Sequence, residues 1–595
     1  MGEVSAQILD DSTKQVYGPT TTEYTLEKYI KYNDPQTFTI DTLLGVRHRF
    51  SPVNAADNKL QDLGNVGTAA RSLYPQLPNQ IGLSSGFNAF DRFAIKSHDI
   101  KYYDTKSPYT KLSLVFGGNG RSMVDVAFSR SDSTVFNFGF DFKRITSDKQ
   151  VGATLSRGDR NVESTSYDVY ARWHPGKYQL LLNYIRFNHK QFESGGVIPL
   201  SSGNLDDLFL EDSAQVWLNN ALSEETRSKY HIYQQFEVSD LLQLYHQFDL
   251  TNQTNSFDDP SLGADGDFFQ DFLIREDSTL DEVQTDIIRN ELGIKGLYKG
   301  IFYNFYLMRR DVQYAPKYLP SSGFIDENYL GANLRYRLGS QTLSFEGLLQ
   351  DGGSYKLKGA FDNKFVQASY TRVQFDPAFL HQGYFGNHGE WQNSFTSPTA
   401  DVLKGSLDVS PLESLRLRPV VTITNINDHI YFNQDMQPQQ ASGAAQIFTA
   451  EAQVDWHFFK RFDFNVQVVS AGITGDAKDV FRIPDWLINS KIAYTNFLFD
   501  GKLEAQFGLD LQYRSAFFGH NYDPTVQQFF LQDTFEIPEY FLADFFINFR
   551  VGRAILFAKL VFLNQGLDRP GYFTAPYYLG QNRIFDWGFT WQFYD

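Results

Sequence analysis

Odd and even positions differ in character over long stretches of this chain. Phe136, Phe138, Phe140 and Phe142 alternate with Asn137, Gly139, Asp141 and Lys143, and Tyr167, Val169, Ala171 and Trp173 alternate with Ser166, Asp168, Tyr170 and Arg172. The same two-residue period runs through 451–458, 461–468 and 502–514. An α-helix, with a period of about 3.6 residues, would scatter these side chains around its circumference, whereas a strand sends each set to one face. The predicted elements are therefore β-strands with one apolar and one polar face.

A soluble sandwich would show similar alternation in any single strand. Connection lengths separate the two. Tight turns fall at Pro175-Gly176, Ser239-Asp240, Lys299-Gly300, Leu338-Gly339, Phe459-Lys460, Asp500-Gly501 and Gly552-Arg553. Between them lie longer polar stretches at 190–226, 254–282, 314–327, 376–400, 434–444, 475–484, 516–539 and 566–582. Short and long connections in alternation are the habit of a membrane barrel, with short periplasmic turns and long extracellular loops. The fold predicted is all-β, a large closed antiparallel transmembrane β-barrel. With 387–397 placed in a loop, the count is roughly 22–24 strands of about 10 residues each.

The end of the chain strengthens this reading. Phe585, Trp587, Phe589, Trp591 and Phe593 occupy one face of a final strand, and Asp586, Gly588, Thr590 and Gln592 the other. Such an aromatic face suits lipid and the headgroup boundary. The segment from Asp586 to Phe593 resembles the β-signal read by the barrel-assembly machinery, with Gly588, Trp591 and Phe593 as its assembly residues. It departs from that signal by ending Phe593-Tyr594-Asp595.

Residues 8–90 alternate weakly, apart from the flanks of Phe38-Thr39-Ile40-Asp41. They read as a periplasmic extension, a plug-like segment folded inward, or early strands, among which periodicity does not choose, and 91–595 as the barrel. Residues 1–7 hold Val4 and Ala6 before Gln7, the small-residue spacing of a signal-peptidase site, and read as a signal-peptide remnant.

Composition narrows the picture. Aromatic residues make up 16% of the chain while mean hydropathy is −0.37, a tension that a strand with one face in lipid resolves. Cysteine is absent, which excludes disulfides, thiolate metal sites and cysteine nucleophiles. A net charge of −17 argues against a nucleic-acid partner.

Three segments are similar to the putative porin family of the Bacteroidota. They are Ser12 through Thr22 (STKQVYGPTTT), Leu63 through Ala69 (LGNVGTA), and Tyr102 through Thr110 (YYDTKSPYT) with the following Phe116-Gly117-Gly118. The resemblance implies an outer-membrane barrel in a Gram-negative envelope. It implies no catalytic residues, because the family has no established chemistry.

The polar faces carry both signs of charge: Asp141, Lys143, Asp168, Arg172, Asp455, Asp463, Glu504, Asp510, Arg514, Asp544 and Arg550. They read as a pore lining, with a salt-bridged lattice as the competing arrangement. Asp265, Asp267 and Asp271 lie in an acidic stretch with the oxygen-rich look of a calcium loop but without its full spacing, so a solvated loop is favoured. Asp206, Asp207, Glu211 and Asp212 are read the same way. No histidine, His246, His381 and His388 included, sits in a nucleophile or metalloprotease motif, and the chain reads as a non-enzyme without a cofactor. The expected partners are outer-membrane lipid and the assembly machinery. The function expected first is passive diffusion of small hydrophilic solutes; a subunit of an envelope protein machine and a gated importer with a small N-terminal plug are the alternatives.

Overall fold

The computed structural model describes residues 18–152, 159–200, 203–209 and 214–594. The segment read as a signal-peptide remnant, most of the first family-like segment, and Glu211 and Asp212 lie outside them. The wall is a closed barrel of 22 antiparallel strands running from Tyr109–Gly117 to Ile584–Phe593. One strand is interrupted: Thr399–Leu407 and Val409–Leu412 both pair with Leu415–Asn427. The last strand closes on the first with Phe589 opposite Leu114 and Gln592 opposite Lys111.

Alternation on the page becomes two faces in space. Phe136, Phe138 and Phe140 are exposed on the outer surface, while Asn137 is buried within. Trp587 and Trp591 face outward, whereas Asp586, Thr590 and Gln592 are buried. Aromatic rings outside and polar groups inside match a lipid-facing wall around a polar interior. No helix is long and apolar enough to cross a membrane among the described residues.

The tight turns gather at one rim, the periplasmic end by the barrel rule. At Lys299-Gly300, Tyr298 pairs directly with Ile301, so the chain must reverse within two residues. Both turn residues take left-handed φ, +49° and +83°, which matches the right-handed twist of the flanking strands. The opposite rim carries the long connections. Four short strands there, Ile430–Phe432, Pro438–Gln440, Asn521–Asp523 and Gln528–Phe530, form a small sheet from two different loops. A hairpin at Gly383–Gln392 lies in the loop between two wall strands.

Residues 18–105 lie in the lumen. Their polar groups meet inward-facing side chains all around the wall: Lys31 with Glu291, Asp34 with Arg335 and Arg337, Lys59 with Glu451, Asp91 with Arg227, and Asn65 with Asn161. A segment that touches wall strands so widely separated can only be inside. Thr22–Thr25 pairs with both Phe38–Thr39 and Tyr102–Thr105, gathering the two ends of the segment into one small sheet. Thr105 also meets Ser131 beside the first periplasmic turn, which places that sheet near the periplasmic rim. Residues 91–108, read from sequence as the start of the barrel, precede the first wall strand at Tyr109, because Tyr102–Thr105 pairs within the lumenal segment instead of with the wall.

Candidate functional site

The lumen is where solute chemistry can occur, so the lumenal segment and its contacts define the site. Near the periplasmic rim, a short helix at Glu27–Lys31 presents two charges to the wall. Lys31 Nζ donates to Glu291 at 2.5 Å and to Gln247 at 3.1 Å. Glu27 meets Nε2 of His231 at 2.5 Å, and Nδ1 of the same ring meets Asp249 at 2.7 Å. Lys295 reaches the carbonyls of Ile30 and Lys31 at 2.7 and 3.1 Å. These groups are buried, so each pair rests on mutual neutralisation in a low-dielectric interior.

Farther along the segment, Ser51 caps a helical turn at Pro52–Ala55 by accepting from the Asn54 N–H at 3.2 Å. Just before it, the His48 ring stacks on Phe546 with centroids 3.7 Å apart, and Nε2 lies 2.9 Å from Asp510. Burial pushes this imidazole below its ordinary pKa even though Asp510 pulls the other way. Toward the outer rim, Arg310 and Glu327 hold the Leu83 carbonyl and amide, at 3.0 and 2.7 Å.

A cavity of about 1030 Å³ runs beside this segment. It is bordered near the periplasmic rim by Lys111 and Gln592, midway by Asp91 and Arg92, and at the outer end by His429 and Phe432 of the loops. A second cavity, about 390 Å³, lies between residues 49–58 and the wall.

The residues singled out from sequence distribute as follows. Asp141 and Lys143 border the large cavity, and Asp455, Asp510 and Asp544 the smaller one. Asp168 is fully buried opposite Asp141, with no hydrogen-bond partner for its carboxylate among the described residues. Arg172 is half-buried on the same inner face. Others are tied into pairs: Asp455 with Arg418 at 2.6 Å, Asp544 with Lys559 at 2.8 Å, Glu504 with Arg550, and Asp463 with His457. Arg514 is fully buried and donates to the Phe573 carbonyl of an outer loop at 3.2 Å. Gly588 is buried at the closing seam, where an added Cβ would meet the Leu114 carbonyl at 2.5 Å and the Phe557 ring at 2.6 Å. Trp591 and Phe593 stack on the lipid face with centroids 4.7 Å apart.

Asp265 does not belong to an open calcium loop. Its carboxylate clasps the backbone and side-chain amides of Asn219, each at 3.0 Å, while Asp267 is exposed and the Asp271 carbonyl faces His388. No group of three or more His, Cys, Asp or Glu able to hold a metal occurs among the described residues. Sequence reasoning missed Arg71, Arg92, Lys96, His429 and His520, all of which border the large cavity. No local period marks them, since their proximity depends on how the lumenal segment and two loops come together.

The sequence model of a family described as putative porin matches residues 22–595. No curated protein matches the chain. Among solved structures, a copper transporter named OprC is similar at TM-score 0.62 and 11% identity, covering 90% of this chain and 93% of its own. The FrpB iron transporter of Neisseria meningitidis (F3-3 variant) is similar at TM-score 0.57 and 11% identity, with 82% of each chain covered. BauA, the ferric preacinetobactin receptor of Acinetobacter baumannii, is similar at TM-score 0.54 and 11% identity, covering 97% of this chain and 96% of its own. At such identity the likeness is one of fold: a large outer-membrane barrel.

Proposed function

The chain belongs to the putative porin family, and from that premise we propose that it is a gated outer-membrane transporter of small hydrophilic solutes, with residues 18–105 as the gate. One observation carries the reading: a single cavity follows the lumenal segment from the outer loops to the level of Lys111 and Gln592. Passive diffusion needs a clear aqueous bore. Here the bore holds a segment tied to many wall strands, so free passage gives way to passage that depends on that segment's movement. The solved barrels of similar fold are named as a copper transporter, an iron transporter and a ferric preacinetobactin receptor. Their fold supports transport; their cargo stays theirs.

The test uses the absence of native cysteine. Asn65 in the gate and Asn161 in the wall are hydrogen-bonded at 3.0 Å. Asn65→Cys with Asn161→Cys, joined by a short reducible bis-thiosulfonate, staples gate to wall. In planar bilayers the unstapled chain is expected to show intermittent openings that the staple abolishes and reductant restores. A steady conductance on the order of nanosiemens, the scale of an open barrel lumen, in both stapled and unstapled forms would sink the gated reading in favour of an open porin.

A further inference from the structure

The large cavity has a charge balance opposite to that of the chain around it. Its lining holds eight Lys or Arg against five Asp, in a protein with 53 basic and 70 acidic residues. Most of those carboxylates are already paired: Asp41 with Arg47 at 3.2 Å, Asp91 with Arg227 at 2.7 Å, and Asp125 with Lys111 at 2.7 Å. Arg71, Arg92 and Lys96 line the cavity with no carboxylate at ion-pair distance among the described residues.

The outer half is the more sharply defined. Arg71, from the lumenal segment, lies with its guanidinium 5.9 Å from the centre of the Phe529 ring. His429 and His520 come from two loops and feel the charge of Arg71 directly; His381 and Arg482 complete the group. Arg482 is neutralised by Asp533. His520 is 5% exposed, and its Nδ1 has no partner among the described residues. Burial lowers the pKa of His381 and His429 to about 4, so these rings are neutral at pH 7 and each can still donate one N–H. The result is a half-buried guanidinium that lines the cavity beside neutral donors and lacks a carboxylate partner among the described residues. A ligand that supplies the missing charge gains a charge-assisted pair there.

We propose that the outer half of this cavity binds an organic anion, with carboxylate or phosphate oxygens on the Arg71 guanidinium and the His429 and His520 imidazoles as neutral donors. A planar guanidinium fits either oxyanion through two parallel N–H bonds. The cavity stands at the upper end of small-molecule pockets, about 300–1000 Å³, too large for an inorganic ion alone. Tyr431, Phe481 and Phe529 border it and offer apolar surface to a carbon skeleton. The inference names the solute class of the proposed transporter and rests on that reading for the claim that the bound anion is cargo.

Isothermal titration of the full chain in detergent tests it, with citrate and glucose 6-phosphate as anionic probes and maltose and spermidine as neutral and cationic controls. At least one anion should bind, and Arg71→Gln should weaken that binding about tenfold or more, the scale of a lost charge-assisted pair. Arg71→Lys should restore part of it. Arg569→Gln, in an exposed outer loop, should change nothing. Retained heat-modifiable migration establishes that each variant is folded. Failure of both anions to bind, equal binding of maltose or spermidine, or anion binding unchanged in Arg71→Gln overturns the inference. Anion binding without any conductance leaves the site standing and removes the transport reading.

Discussion

Glu291 anchors the periplasmic end of the lumenal segment. Its carboxylate receives Lys31 Nζ at 2.5 Å and the Tyr245 hydroxyl at 2.7 Å, and pairs with Arg289 as well. The two partners are unequal in what their loss leaves behind. Lys31→Met keeps Glu291 satisfied by Arg289 and Tyr245, and should loosen the segment by about 1 kcal/mol, a typical net hydrogen-bond contribution. Glu291→Leu strands Lys31 in a buried site, with Arg289 left to Asp249 at 3.8 Å, and should destabilise by about 3–5 kcal/mol. Urea unfolding of the segment, followed by labelling of Asn65→Cys, would measure both; equal effects would refute the unequal roles. Contacts like this were not legible in the sequence. Lys31 and Glu291 are 260 positions apart, and neither belongs to a motif. The wall residues were legible for the opposite reason: Asn137 and Phe138 differ in environment because they are adjacent in a strand, and adjacency is what a sequence displays.

At the scale of elements, the last strand was read almost residue for residue, because lipid selects one face and the lumen the other. Closure obliges it to pair with the first strand, but which residues form that strand was not readable, since 91–108 read as part of the barrel. The structure pairs it with Tyr109–Gly117, and the seam is tight at Gly588. Gly588→Val has no room between the Leu114 carbonyl and the Phe557 ring, so it should lower the fraction of heat-modifiable barrel recovered from membranes. A recovery equal to wild type would show that the seam relaxes at little cost. The outer loops carry a pH dependence. His429 has a folded pKa near 4, lowered first by burial and then by Arg71 and His381; His381 is likewise near 4 through burial. Between about 6.5, the ordinary value, and 4, loops released from the fold bind more protons than packed ones. Stability is therefore full above the ordinary value and falls as pH drops through this window. Hydrogen exchange in 428–443, corrected for intrinsic rate, should quicken from pH 7.5 to pH 5. Unchanged protection would mean that these rings have access to water in the native loops.

At the scale of the whole molecule, wall and gate are separable in one respect and inseparable in another. Every strand of the closed barrel lies within 109–593, so the gate contributes no strand to the closure. Removing residues 18–105 should leave a heat-modifiable barrel with the same 22 wall strands, losing only the short strands of the gate itself. The charge field would change, however. The gate holds nine Lys or Arg and nine Asp or Glu, so the negative balance of the chain resides chiefly in the wall and its loops. With the gate present, the passage is the cavity lined by Arg71, Arg92 and Lys96, whose balance is positive. With the gate absent, the lumen is lined by wall groups it had paired, Glu291 and Glu451 as well as Arg227, Arg335 and Arg337, within a wall and loops that carry the chain's negative balance. Fixed charge in a narrow aqueous path selects the opposite ion. The reversal potential under a KCl gradient should therefore change sign, from anion-leaning in the intact chain's openings to cation-selective in the truncated barrel. Cation selectivity of similar strength in both would mean that ions in the intact protein bypass the cavity, and with it the gate.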